Sequence, residues 1–104
     1  MDRTLAALQV LTAEFTDRSY GDTVIAIEVL NEPFPQAASE VDFLKRFYNA
    51  AYDTVRKAAK HPDVVVAIDS AYQGMDAWDG FMTEPEWSKV ALDTVRTMWR
   101  AVWR

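Results

Sequence analysis

"VIAIEVLNEPFP" runs from Val24 to Pro35. Its first half is short, apolar and rich in branched side chains, which predicts a β-strand buried on both faces. Its second half closes on Asn31, Glu32 and Pro33. A buried strand that ends in a carboxylate needs a partner for that carboxylate or a task for it. Strand side chains alternate between faces. Glu32 therefore shares a face with Leu30, Glu28, Ala26 and Val24, while Ile25, Ile27 and Val29 form an apolar face suited to helices. An open sheet with helices on both faces leaves Glu28 hard to place. In a closed barrel the same face is the interior, where a charge can meet partners from other strands. Barrel chemistry gathers at the C-terminal strand ends. Glu32 lies at such an end, and Glu28 does not. Glu32 is the catalytic candidate and Glu28 an interior structural charge. Spacing alone gives equal weight to Glu32 as a loop carboxylate that accepts nearby amides.

The segments on either side extend this unit. Leu5, Leu8, Leu11 and Phe15 recur at three and four residues and predict an amphipathic helix over about 3–17. Gly21 marks a turn after it. Beyond the two prolines Pro33 and Pro35, Ser39 is placed as an N-cap. Val41, Leu44, Tyr48, Ala51, Val55 and Ala58 then form one stripe of a helix over about 40–60. "KHPD" ends that helix, because a residue preceding proline avoids helical geometry. "VVVAID" (64–69) is a second apolar strand, followed by a short helix carrying Trp78, Phe81 and Met82. Two apolar strands joined by a helix predict a parallel βαβ unit. The last segment is ambiguous. "SKVALDT" suits a third strand, but Trp87, Val90, Ala91, Val95, Met98, Trp99 and Val102 also sit at helical spacing. Thr83 with Glu86 and a nearby proline favour a helix over about 84–102.

The 104-residue length predicts one small domain. A net charge of -5 disfavours nucleic acid or an anionic membrane as the main partner. Without cysteine there is neither a disulfide frame nor a thiolate metal site, and a single histidine, His61, makes a zinc site of the usual kind unlikely to assemble. No metal and no organic cofactor is expected. The N-terminal segment is apolar on one face only and lacks the continuous run of a signal peptide.

Other residues carry two readings each. Asn31 can orient a ligand hydroxyl or stabilise its turn. Asp69 ends the second strand on the same side as Glu32; it can line the site or cap the following segment, with the cap slightly favoured. Tyr72 and Trp78 can stack on a sugar ring, although core packing is the more frequent use. His61 lies at the opposite strand ends and reads as structural. The interleaved Trp and Arg of "VRTMWRAVWR" suit a membrane-surface or partner-binding helix, but more often such a stripe covers a sheet.

Taken in order, "VIAIEVLNEPF", "FYNAAYDTVRK" and "VVVAIDSAYQGMDAWDGFMT" resemble glycoside hydrolase family 5, and within it the fungal exo-β-1,3-glucanases. The resemblance covers residues 5 to about 94. It implies a (β/α)8 barrel, of which this α/β chain is a fragment holding about strands four to five or six. Residues 1–94 are then a partial catalytic barrel and 95–104 a divergent, helical tail. It also implies retaining hydrolysis of β-glucan by two glutamates. Glu32 is then the acid/base and Asn31 the contact to the sugar 2-hydroxyl, while Asp69, Tyr72, Gln73 and Trp78 fall in the substrate-binding segment. The nucleophile's strand is missing, since a barrel needs about 200 to 250 residues, and the chain alone is expected to be inactive. The intact family member is expected in the secreted or cell-wall space. Rival readings are a non-catalytic glucan-binding or partner-binding module and a truncated gene product without a cellular role.

Overall fold

The computed structural model describes residues 1–21 and 23–94. Helix α1 (Asp2–Phe15) precedes strand β1 (Ala26–Glu28), helix α2 (Ala38–Ala58), strand β2 (Val65–Asp69) and strand β3 (Val90–Asp93). Short 3-10 turns lie at Arg18–Tyr20 and Met75–Trp78. The sheet has the order β1-β2-β3, and both pairings are parallel. Among the described residues no helix is long and apolar enough to cross a membrane.

Helix α2 is the centre of the packing. Leu44, Phe47, Tyr48, Ala51, Tyr52 and Val55 are buried, alternating at three and one along the chain. That pattern draws a stripe two residues wide, enough to meet the sheet with one side and α1 with the other. The sheet answers with Val29, Val64, Val66 and Ile68, all buried. The helix starts at Ala38, so Ser39 lies inside its first turn, and the N-cap position is Ala37, without a side-chain cap. The expected Ser39 cap is not used. The Glu40 carboxylate instead accepts the main-chain N–H of Gln36, ahead of the helix.

Helix α1 departs from the stripe read in its sequence. Leu8 is buried, but Leu11 is 50% and Phe15 40% exposed. The covered face follows Leu8, Thr12 and Thr16, each four residues on from the last. The Thr16 hydroxyl donates to the Thr12 carbonyl at 2.6 Å and accepts from Lys60 N–H at 2.9 Å, tying the end of α1 to the loop after α2. Lys60 and Asp17 close the same corner as an ion pair at 2.7 Å.

Two expectations about the sheet are corrected. Among the described residues the strands are covered on one face only. Ile27, Val66, Ile68, Val90 and Leu92 face the helices, whereas Ala26, Glu28 and Ala91 on the other face are exposed. Over residues 84–94 there is also no long helix; Val90–Asp93 is the third strand. Local spacing favours helix there, but β2 has a second edge whose amides need acceptors, and pairing supplies them. Val66 N–H reaches the Lys89 carbonyl at 2.9 Å, and Ser70 N–H the Asp93 carbonyl at 2.8 Å. The expected helix over 95–102 and the divergent tail lie outside the described residues.

Candidate functional site

Strand β1 ends at Glu28, and the chain turns before it reaches Glu32. Strict alternation therefore does not carry through to Glu32. Its backbone φ is 46°, a left-handed conformation that non-glycine residues seldom adopt. Asp69 at the end of β2 meets this turn: its Oδ2 accepts the Glu32 N–H at 3.2 Å, and its Oδ1 accepts the Ala71 N–H at 2.6 Å. Asp69 thus does cap the segment that follows it, and also reaches across to the neighbouring loop. Ala71 and Tyr72 have positive φ as well, 54° and 59°. The resulting turn brings Tyr72 back to the first loop. The Glu32 carboxylate lies close enough to the Tyr72 hydroxyl to push that phenol above its ordinary range, ahead of partial desolvation and the charge of Asp69. Phe34 meets Tyr72 edge to face, with ring centroids 5.3 Å apart.

Glu32, Asn31, Asp69 and Tyr72 thus gather at one end of the sheet. Gln73 lies beside them, its side-chain amide donating to the Ala71 carbonyl at 3.0 Å. With Pro35, Gln36, Val41 and Asp42 it lines an open groove of about 390 Å³. Trp78 is placed differently. It is buried, its indole N–H donates to the Ser70 carbonyl at 3.0 Å, and its ring packs between Tyr48 and Phe81. The ring supports the site from behind. His61 is in the loop before β2, at the opposite strand ends.

On the open face Glu28, Asp69 and Asp93 each bring a carboxylate oxygen within 4.8 Å of the others. Burial raises the Glu28 pKa above its usual value, with the charges of Asp93, Asp69 and Glu32 adding to it. These acids have the chemistry of cation ligands, but both Asp69 oxygens already accept main-chain amides. Asp93 and Phe34 were not singled out in the sequence. Asp93 had a signal, since "VALD" repeats the ending of "VAID" and the register sets Asp93 opposite Asp69. Phe34 had none beyond its place after Pro33.

An α/β unit with parallel strands and its acids at the C-terminal strand ends has the arrangement in which barrel enzymes build their sites. Known relatives share one name. The chain is 32% identical over 90 residues to a glucan 1,3-beta-glucosidase of Schwanniomyces occidentalis, covering 86% of this chain and 20% of that protein. It is 38% identical over 82 residues to glucan 1,3-beta-glucosidase I/II of Saccharomyces cerevisiae, covering 78% of this chain and 18% of the relative. A glucan 1,3-beta-glucosidase of Lachancea kluyveri is 31% identical over 83 residues, 80% of this chain and 18% of its own. No protein-family model matches the chain. The resemblance to the exo-β-1,3-glucanases therefore stands: over most of its length the chain is a relative of the glucan 1,3-beta-glucosidases, and it spans about a fifth of theirs.

Proposed function

We propose that residues 1–94 are the part of a β-1,3-glucan glycosidase of family 5 that carries its acid/base, Glu32. The observation that carries this reading is the setting of Glu32. Glu32 is exposed in the loop that leaves the C-terminal end of β1, its main-chain amide is held by the buried Asp69 carboxylate, and its own carboxylate lies near Tyr72. A proton donor to a glycosidic oxygen has to be accessible to substrate and fixed in direction. Three parallel strands in sequential order, with helices on one side only, suit a wall of a (β/α)8 barrel seen from inside. The open face with Glu28, Ala67 and Ala91 is then barrel interior.

In the retaining mechanism one carboxyl group protonates the leaving oxygen while a second, about 5 to 5.5 Å away, attacks the anomeric carbon. Glu32 is the first of these, and Asn31 contacts the 2-hydroxyl. Tyr72 and Gln73 border the bound glucan. The nucleophile comes from a strand that this chain does not include, so the chain by itself does not turn over glucan. The intact enzyme works in the secreted or cell-wall space, where such glucan is found.

Leaving-group dependence tests the role of Glu32. Residues 1–94 replace the matched segment of a complete glucan 1,3-beta-glucosidase, with and without Glu32→Gln. Natural glucan needs a proton on its leaving oxygen; a dinitrophenyl glucoside does not. The variant is expected to lose about 10²- to 10⁴-fold on glucan and to keep forming the glycosyl-enzyme from the aryl glucoside. Equal losses on both substrates remove Glu32 from the acid role.

A further inference from the structure

Asp69 is the most enclosed acid at the strand ends, with 1% of its surface exposed. A substrate contact made by that side chain would have to compete with two main-chain amides already in place. Its own backbone is fixed on every side. The Asp69 carbonyl accepts the hydroxyl of Tyr48, which is fully buried, at 2.8 Å. The next residue, Ser70, donates its N–H to β3 and accepts the Trp78 indole N–H on its carbonyl. The carboxylate is therefore mounted on the core of the molecule. What it holds is the opposite in character: Glu32 is exposed, lies in a loop and has a positive φ that its side chain disfavours.

We propose that Asp69 is a positioning residue for Glu32, one carboxylate that clamps two loops and so sets the direction of the catalytic side chain. This rests on the reading of Glu32 as the proton donor. The amide of Glu32 is one bond from its Cα. Fixing that amide against a rigid acceptor fixes the direction in which the side chain leaves the backbone. The second oxygen does the same for Ala71 and thus for Tyr72, the residue that faces the Glu32 carboxylate. Each N–H has its own oxygen here, and asparagine would set an NH2 donor against one of the two N–H groups. Asparagine keeps the size of the side chain and must release one of the two loops.

Nuclear magnetic resonance on the 104-residue chain tests this. In the unaltered chain a scalar coupling across the hydrogen bond is expected between the Glu32 amide nitrogen and the Asp69 side-chain carboxyl carbon. That measurement needs no variant. Asp69→Asn is then expected to speed exchange of the Glu32 or the Ala71 amide by about tenfold or more. Nuclear Overhauser contacts between Tyr72 and Glu32 should vanish, while those between Tyr48 and Trp78 persist. Glu32→Gln, which leaves the main-chain donor intact, should retain the coupling. An absent coupling overturns the proposal, because a cap acting on Ala71 alone predicts that result, and so does Asp69→Asn with the Glu32–Tyr72 contacts unchanged. These readouts are independent of turnover. A clamp that is present while the leaving-group test fails would condemn the catalytic reading and leave the positioning one standing.

Discussion

Glu28 and Glu32 are four positions apart in sequence and differ in what surrounds them. Glu28 looks out over the open sheet face, where burial and then the charges of Asp93, Asp69 and Glu32 raise its pKa. The consequence for stability has a definite sign. A carboxyl group with a higher pKa folded than unfolded binds more protons in the native state, so stability falls as pH rises from about 4.5 through the folded value. Glu28→Gln should leave stability unchanged below that window and raise it above, by less than about 1 kcal/mol because water reaches the side chain. Urea denaturation of both chains at pH 4 and pH 7 measures this. Equal stability differences at the two pH values would contradict it. That Glu32 lies past the C-terminal side of the first strand was legible in the sequence, because strand direction is a local property; that the strand stops at Glu28, so that alternation does not reach Glu32, was not. The conformation of Glu32 was not, since its amide is held by an acceptor 37 residues away.

At the scale of elements the decisive contacts run from α2 to the N-terminal ends of the strands. Arg56 donates to the Val64 carbonyl at 2.6 Å and to the Ser88 and Lys89 carbonyls at 2.8 and 3.1 Å. Its guanidinium also lies 4.8 Å from the Tyr52 ring centre, and the Tyr52 hydroxyl donates to Ser88 as well. One cation thus fixes where β2 and β3 begin relative to each other. Arg56→Ala is expected to cost about 1.5 to 3 kcal/mol, the range for hydrogen bonds to a charged group. Arg56→Lys should recover less than half, because a single ammonium cannot span the fork. Chemical denaturation followed by tryptophan fluorescence checks both, and full recovery by lysine would show that charge alone matters. The α2 helix itself was plain in the sequence, its stripe being long and regular. Strand β3 was misread in favour of helix for the converse reason. Trp87, Val90 and Ala91 fit a helical stripe, and only the free edge of β2 selects the strand.

The described residues make a helix-backed parallel sheet whose second face they leave open, in a chain that spans about a fifth of its named relatives. That one face of the first strand is not packed against helices was readable from the place of Glu28 alone. The set of three acids was not, because it depends on the register of β3 against β2. In the proposed function this segment supplies the proton donor to a site completed by the remaining strands. Its most direct test is release of reducing sugar from laminarin by a complete glucan 1,3-beta-glucosidase carrying residues 1–94 in place of its own matched segment. The chain alone should release none. The graft should turn over, Glu28→Gln in the graft should keep turnover to within about a factor of ten, and Glu32→Gln should reduce it by about 10²-fold or more. A graft that loses turnover with Glu28→Gln and keeps it with Glu32→Gln, while both remain folded, would contradict the account.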